Sequence, residues 1–282
     1  MPRTRELFVF IKERHDIYLR RKSGKSRPWT KDPILQRYRF CNMYRELDKV
    51  TIWIRQNWRD PHASDLHLWF AMVVARMVNW PATLDAIGYP VPYNPERFIT
   101  IMELRRNARQ QVFTGAYMVR CDCQKAGKTK AHYLDEKVFR PLWHYRALVM
   151  PGKGDRLADF YNRLMEYYGM GSFMAGQVIA DVKNTPGQLL AKAPDWWKWA
   201  ASGPGSRRGL NRVMDRSVKA SWTEAGWLEC LQELQLELHP LLKQANMPRM
   251  CAQDTQNCLC EFDKYERVRL GQGKPRALYA GT

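Results

Sequence analysis

The stretch LADFYNRLMEYYGMGSFMAGQVIADVK, residues 157–183, carries most of the fold prediction for this chain. Apolar residues recur at three- and four-residue intervals on both sides of Gly169-Met-Gly171, which predicts two helices joined by a short turn. Glycines allow positive φ and close backbone approach, and the second helix begins with unpaired N–H groups that can hold a phosphate. We therefore expect a helix-hairpin-helix element with Gly169, Gly171 and Ser172 at a DNA backbone. A plain turn between two helices is the alternative.

Helical periodicity also dominates the rest of the chain. Four further helices are predicted from apolar residues at helical spacing: a long helix over 34–54, a buried helix from Leu66 with Ser64 or Asp65 as N-cap and Trp80-Pro81 as its stop, a helix over 96–109, and an amphipathic helix over 222–239 that Pro240 ends. The only strand candidate is 112–119. We expect a mostly α fold with a basic N-terminal arm or helix over 1–30, and one helical catalytic domain over 31–282 that could form two lobes.

The charge balance points to a polyanionic partner. The 282 residues include 46 Lys and Arg against 28 Asp and Glu, a net charge of +18, and the 45% hydrophobic content is enough for a core. This composition excludes global disorder, collagen and coiled coil. Nucleic acid is the first partner to consider, and an anionic membrane surface is the weaker alternative.

The chain shows no apolar run of the roughly 18 residues that a membrane-spanning helix needs. Its first residues are charged and show no secretory signal, and its seven cysteines are unevenly spaced. We therefore expect a protein with free thiols in a reducing cytoplasm and no membrane association.

Two basic segments are candidate phosphate sites. Arg21, Lys22 and Lys25 lie in a stretch with the composition of a mobile loop that follows a DNA backbone, and a solvated surface loop is the alternative. The segment GPGSRRGLNR, residues 203–212, combines three glycines with three arginines and predicts a tight loop for an anion. Its candidate ligands are Gly203, Gly205, Arg207, Arg208 and Arg212, and a basic surface turn is the alternative.

Acidic residues in apolar surroundings are candidates for proton transfer. Asp181 lies in the apolar run VIADV, where burial would raise its pKa and suit it to act as a general base; pairing with a nearby Arg is the equal alternative. Glu261 and Lys264 lie beside aromatics in CEFDKY, and a solvated helix end is the alternative there. No metal-binding His spacing, P-loop, dinucleotide fingerprint or complete four-cysteine set occurs, so we expect no cofactor and no resident metal, with a divalent ion left open.

Taken together, several segments resemble the α-glutamyl/putrescinyl thymine pyrophosphorylase family, the phage amino acid:DNA transferases. They are RYRFCNMYRELD (37–48), QVFTGAY (111–117), GSFMAGQVIAD (171–181), the Gly-Arg segment and CEFDKY (260–265). The resemblance implies a helix-hairpin-helix DNA glycosylase-like fold. It also implies transfer of an amine, an amino acid such as glycine or a polyamine such as putrescine, to pyrophosphorylated 5-hydroxymethyluracil in double-stranded DNA, in the cytoplasm of an infected bacterium.

Within that chemistry, the arginines of the Gly-Arg segment with Arg45 would neutralise the departing pyrophosphate, and Asp181 or Glu261 would deprotonate the amine, with Lys264 nearby. The candidates to bind a flipped base are Phe113, Tyr117, Gln177 and Trp222. Direct displacement and attack by Cys41 or Cys260 both stay open. A glycosylase acting on modified pyrimidines and a non-catalytic DNA-binding protein are the other two classes.

Overall fold

The computed structural model describes residues 1–115, 129–275 and 278. The chain divides into two compact units: unit 1 comprises residues 1–48 and 197–282, and unit 2 comprises residues 49–196. Across the described ranges the structure has no β-sheet, only an isolated bridge between Tyr38 and Leu278, so the expected all-α class is confirmed. None of the helices in those ranges is both long enough and apolar enough to cross a membrane.

The helices of the described residues are numbered in chain order. They are α1 (Thr4–Lys22), α2 (Pro33–Arg37), α3 (Lys49–Ile54), α4 (Leu68–Val78), α5 (Pro81–Ile87), α6 (Pro95–Asn107), α7 (Lys130–Leu134), α8 (Arg140–His144), α9 (Arg146–Val149), α10 (Leu157–Met165), α11 (Ser172–Lys183), α12 (Pro204–Val213), α13 (Glu224–Gln244) and α14 (Ala252–Arg269). Short 3-10 segments cover Arg45–Leu47 and Leu189–Lys192, and π-helical turns cover Arg55–Arg59 and Asp135–Phe139.

Unit 2 is built around α4, whose eleven residues are all buried, as its apolar sequence predicts. Asp65 does not cap the helix directly; its Oδ1 accepts the N–H of His67 at 2.8 Å, and the helix begins one residue later. At the other end Asn79 takes a left-handed conformation with φ 47°, and α5 follows from Pro81. The predicted buried helix and its stop are confirmed, and the helix over 96–109 corresponds to α6.

The stretch 157–183 forms the two expected helices, α10 and α11, which pack against each other; α11 also packs on α4. Gly169 has φ +82°, and a Cβ there would lie 2.7 Å from Cγ2 of Val138. Only glycine fits this position, because the turn needs both positive φ and contact with the side chain of Val138. The predicted helix, glycine turn and helix are confirmed.

The single long helix predicted over 34–54 is wrong. Residues 38–44 are extended or irregular between α2 and the 3-10 segment, because polar side chains bind the backbone there. Asp48 Oδ1 accepts the N–H of Asn42 at 3.0 Å, and the Asn42 amide donates to the carbonyl of Leu47 at 2.8 Å. These bonds stabilise a loop in place of the helix that apolar spacing alone indicated.

Pro240 does not end α13, contrary to the prediction; it lies inside the helix, which continues to Gln244. The buried positions Leu231, Leu234, Leu238 and Leu242 keep helical spacing across the proline. Proline removes the hydrogen bond to the carbonyl four residues earlier, at Leu236, whose side chain is 74% exposed. Water can therefore reach that carbonyl, and burial of Leu242 favours continuing the helix.

Unit 1 surrounds one apolar core, in which α1 packs on α12, α13 and α14. Residues 1–30 therefore share this core with the C-terminal helices. The most extensive helix pair is α12 with α14. A Cβ on Gly209 would lie 2.1 Å from the carbonyl oxygen of Leu259, so glycine is what lets the two backbones meet.

Residues 112–115 of the strand candidate 112–119 are not a strand, and the remainder lies outside the described residues.

His15 in α1 provides a pH-dependent element of stability. Its ring is buried against Tyr44, with ring centroids 5.1 Å apart, and desolvation holds its pKa below the ordinary 6.5. The neutral ring is therefore favoured in the folded chain, and the unfolded chain binds the extra proton. We expect the free energy of unfolding to fall as pH drops below about 6.5, measured by urea denaturation between pH 7.5 and 5.0. The variant His15→Phe should show a smaller fall; an equal fall would contradict the assignment.

Candidate nucleic-acid interface

The Gly-Arg segment is a helix, not the tight loop that the sequence predicted. Gly203 is the extended N-cap residue and α12 begins at Pro204, which suits a first helical position. The glycines serve helix packing: besides Gly209, a Cβ on Gly205 would lie 3.0 Å from Sγ of Cys260 on α14. Glycine density here indicates close approach of two helices.

The three arginines of α12 have carboxylate partners within unit 1. The Nε atoms of Arg208 and Arg212 each lie 2.9 Å from an oxygen of Asp263, which is buried on α14. Arg207 pairs with Glu224 at the start of α13 and donates from Nε to the hydroxyl of Ser202 at 2.8 Å. Arg207 and Arg208 stay partly exposed, whereas Arg212 is buried. In this structure the ion pairs of these three guanidiniums connect helices of unit 1 to one another.

The acidic and basic residues of CEFDKY lie on α14 in the middle of unit 1. The Glu261 carboxylate is 2.6 Å from Nζ of Lys264 and accepts the backbone N–H of Cys41 at 2.9 Å. The Lys264 ammonium also faces the ring of Phe40, 4.7 Å from its centroid. Burial, with the nearby carboxylates of α14, raises the pKa of the Cys260 thiol to about 12, so this thiol stays protonated at neutral pH.

Arg45 is buried in the 3-10 segment of unit 1. Its backbone N–H donates to Asp254 Oδ1 at 3.1 Å, and its guanidinium lies 3.6 Å from the Glu46 carboxylate. Arg45 and the arginines of α12 therefore belong to the same unit, but Arg45 pairs with Glu46, whereas Arg208 and Arg212 share Asp263.

Asp181 lies in unit 2 and is fully buried on α11. Its two oxygens accept two N–H groups of Arg76, both at 2.6 Å, and Nη1 of Arg59 lies 3.7 Å from Oδ1. The two guanidiniums also bind Thr51 and Thr185. This arrangement corresponds to the ion-paired alternative for Asp181. The sequence signal for it was Arg76, the one charged residue in the apolar run of α4.

The candidate base-binding residues are distributed over both units. Phe113 is half-buried beneath the ammonium of Lys130, 4.1 Å from its ring centroid, and Gln177 lies half-buried on α11. Trp222, in unit 1, donates from Nε1 to Asn211 at 2.8 Å, and the Arg216 guanidinium lies 4.2 Å from its ring centroid. Tyr117 lies outside the described residues. Phe113 and Gln177 belong to unit 2, whereas Trp222 belongs to unit 1.

The turn between α10 and α11, residues 166–171, presents aromatic side chains to solvent. Met170 is buried and fixes the turn to unit 2, while Tyr168 before it and Phe173 after it are 59% and 57% exposed. The hydroxyl of Tyr168 pairs with that of Tyr133, and the two rings meet edge to face. No heavy atom comes within 4 Å of a Cβ placed on Gly171, so the turn is open on that side. The predicted contact of this turn with a DNA backbone rested on its glycines, and the exposed aromatics were not predicted.

Residues 20–31, called here the basic turn, comprise the last residues of α1 and the ordered loop that follows it. The segment holds six Lys and Arg and no acidic residue. Trp29 organises it: its Nε1 donates to the Lys25 carbonyl at 2.6 Å, and the guanidiniums of Arg21 and Arg27 lie 5.9 and 4.7 Å from its ring centroid. The sequence signal here was the basic run alone; Trp29, directly after Arg27-Pro28, is the residue that sequence reasoning missed.

Five of the six cations of the basic turn are exposed, whereas Arg20 pairs with Glu13 and Asp16 of α1. Arg21, Lys22 and Lys25 are exposed, and Lys22 and Lys25 border an open cleft of about 410 Å³ with Arg20 and Ser23. Just beyond the turn, Asp32 caps α2 and accepts the Tyr265 hydroxyl at 2.6 Å, which ties this region to α14. The basic turn is thus a fixed cationic surface suited to phosphate oxygens.

Within the described ranges, no group of three or more His, Cys, Asp and Glu side chains is placed to hold a metal ion. The five cysteines within those ranges are free thiols.

Comparison with known proteins assigns the chain to a family. A family described as the helical domain of 5-hmdU DNA kinase matches residues 2–274. The chain belongs to this family. The 5-hmdU DNA kinase of Bacillus phage SP10 is 29% identical over 230 residues, which cover 74% of this chain and 36% of that protein. The chain thus matches about a third of the length of the curated relative. No solved structure matches it.

Membership of the 5-hmdU DNA kinase family corrects the expected reaction. The prediction that the chain displaces pyrophosphate with an amino acid or polyamine is wrong, because the matched family and relative are named for a kinase. The broader prediction is confirmed: the chain is related to phage enzymes that modify 5-hydroxymethyluracil in DNA, and an amine co-substrate has no support.

Proposed function

We propose that this helical domain binds DNA containing 5-hydroxymethyluracil and holds it for phosphorylation of the hydroxymethyl group. The observation that carries the proposal is the basic turn, a segment with six cationic residues and no acidic one in which Trp29 contacts Arg21 and Arg27. Cationic side chains on an ordered surface release counterions when they bind phosphates, which is the main source of affinity for a DNA backbone. The name of the relative supplies the modified base and the reaction.

The net charge of both units supports the same proposal. Unit 1 has 26 Lys and Arg against 15 Asp and Glu, and unit 2 has 20 against 13. Many of the interior cations already have carboxylate partners, as Arg212 and Arg76 do. The excess positive charge therefore lies largely on the surface, where a polyanion can neutralise it.

The pair α10 and α11 is the second element of the proposal, as a helix-hairpin-helix of the kind found in DNA glycosylases. Gly171 is the N-cap of α11, with its surroundings open, and the first N–H groups of a helix favour an anion. In the proposed complex, Gly169, Gly171 and Ser172 approach a DNA phosphate, while the basic turn contacts others.

The test is salt-dependent binding of the protein to a 5-hydroxymethyluracil duplex and to the matched thymine duplex, measured by fluorescence anisotropy. In the triple variant Arg21→Ala, Lys22→Ala, Lys25→Ala we expect weaker binding. The slope of log affinity against log salt should become shallower by up to about 2.7, since each lost phosphate contact removes roughly 0.9. The modified duplex should bind more tightly than the thymine duplex.

A charge-matched control keeps the test specific to the basic turn. Lys198, Lys219 and Lys243 are also exposed in unit 1, and their triple Ala variant removes the same net charge. It should retain most of the wild-type slope. Equal losses in both triple variants would mean that net charge alone drives binding, and equal affinity for the two duplexes would remove the modified base from the proposal.

A further inference from the structure

The turn between α10 and α11 carries a pair of exposed aromatic rings that packing within unit 2 does not explain. Tyr168 and Phe173 are each more than half exposed, although the turn between them is anchored by buried Met170. A folded protein loses favourable burial energy for each large ring left in water. Exposed aromatic side chains on either side of one turn offer a surface that another molecule can cover.

The backbone segments that carry these two rings are held in place. Gly169 lies against Val138, so the turn cannot move inward, and the Tyr168 hydroxyl is bonded to that of Tyr133. Phe173 is in the first turn of α11, a helix of twelve residues whose other end is buried in unit 2. The hydrogen bond of Tyr168 reduces the side-chain entropy that its ring would lose on meeting a planar partner, which favours stacking there.

We infer that Tyr168 and Phe173 form a wedge that stacks on DNA bases, with at least one ring entering a base step and unstacking it. The inference rests on the proposed DNA binding. It explains why aromatic residues occupy positions on both sides of a glycine turn, since every base offers a flat face to an aromatic ring whatever its sequence. Apolar wedges that separate base pairs also make a target base easier to take out of the helix, where an enzyme can act on it.

A DNA partner fits this surface better than another protein. Unit 2 has an excess of seven basic residues, which favours a polyanion, and the chain belongs to a family named for a DNA kinase. The two exposed residues are planar aromatics with a glycine turn between them, so a narrow partner such as a base step can approach both rings.

The experiment uses a duplex with 2-aminopurine beside 5-hydroxymethyluracil, because this base fluoresces more strongly when it is unstacked. Binding of the wild-type protein should raise the fluorescence of the 2-aminopurine. Phe173→Ala and the double variant with Tyr168→Ala should lose most of that rise and bind about tenfold more weakly, as expected for loss of one or two stacked bases. The salt slope should stay unchanged because neither variant removes a charge. Phe173→Trp should keep the rise.

The control is Leu148→Ala, which removes a 71% exposed apolar side chain from α9 in the same unit and should leave fluorescence and affinity unchanged. Wild-type binding without a fluorescence rise would overturn the wedge and leave the proposed DNA binding intact. Absence of binding to any duplex would instead overturn the proposed function. If the double variant binds DNA normally but loses self-association in sedimentation, the rings form an interface between copies and the wedge is wrong.

Discussion

Replacing Asp181 by Asn should lower the free energy of unfolding by about 3–5 kcal/mol, because the change removes the carboxylate that pairs with Arg76 and Arg59 in this buried cluster. Both guanidiniums are buried, and an amide gives neither a negative charge nor a second acceptor oxygen for Arg76. The loss would be measured by chemical denaturation, with the unfolding of unit 2 monitored through the fluorescence of its tryptophans.

The control for this prediction is a partly exposed carboxylate of the same unit. Glu103, whose side chain is 20% exposed, pairs at 2.5 Å with the 57% exposed Arg106 on α6, and Glu103→Gln should cost less than about 1 kcal/mol because the guanidinium left behind is hydrated. The double variant Arg76→Met, Asp181→Leu should lose less stability than the sum of its two single variants. If Asp181→Asn were as stable as the wild type, the carboxylate would not be holding the buried guanidiniums.

Gly209→Ala should reduce stability by about 3 kcal/mol or more, the upper range for overpacking a core. Helix propensity alone would favour Ala by about 1 kcal/mol at this interior position, so the sign of the effect depends on packing. The added Cβ would lie 2.1 Å from the Leu259 oxygen and 2.7 Å from its carbonyl carbon, both backbone atoms. Since no side chain can rotate away, α12 and α14 have to separate, which also stretches the bonds of Arg208 and Arg212 to Asp263.

Thermal unfolding of matched glycine variants tests this packing. Gly203 in the same motif has an extended backbone, and nothing lies within 4 Å of a Cβ there, so Gly203→Ala should cost no more than about 1 kcal/mol, the usual loss at an N-cap. The stability loss of Gly205→Ala should lie between those of Gly203→Ala and Gly209→Ala, because the nearest neighbour of the added Cβ is the Cys260 side chain. A Gly209→Ala protein with a raised Tm would show that the helices do not meet as closely as described.

The local helices were predictable because their signals are local. The fully apolar α4 and the two helices around Gly169 follow from apolar spacing and from glycine at a turn, and both predictions are confirmed. The errors arose where a distant contact outweighed a local signal. Pro240 stays within α13 because Leu242 is buried beyond it, and Asn42 with Asp48 replaces helical hydrogen bonds between α2 and α3.

The candidate site was harder to predict because the same residue types serve packing and ligand binding. A run of glycines and arginines suggested an anion loop, yet Gly209 allows two helices to touch and Arg212 pairs with Asp263, 51 residues further along the chain. Arg76 and Asp181 are 105 residues apart, and no spacing rule joins them. The prediction of amine transfer was wrong for a related reason. Residues typical of phosphate chemistry do not specify which phosphate reaction takes place.

The amino-acid sequence by itself determined the all-α class, the helices whose apolar residues repeat within a few positions, and the excess positive charge that points to DNA. Only the tertiary structure decided which charges remain available at the surface. Arg208 and Arg212 are held by Asp263, whereas Arg21, Lys22 and Lys25 stay exposed around Trp29. The physical reason is that an ion pair depends on distance in space, and the partners brought together by folding can lie a hundred residues apart in the chain.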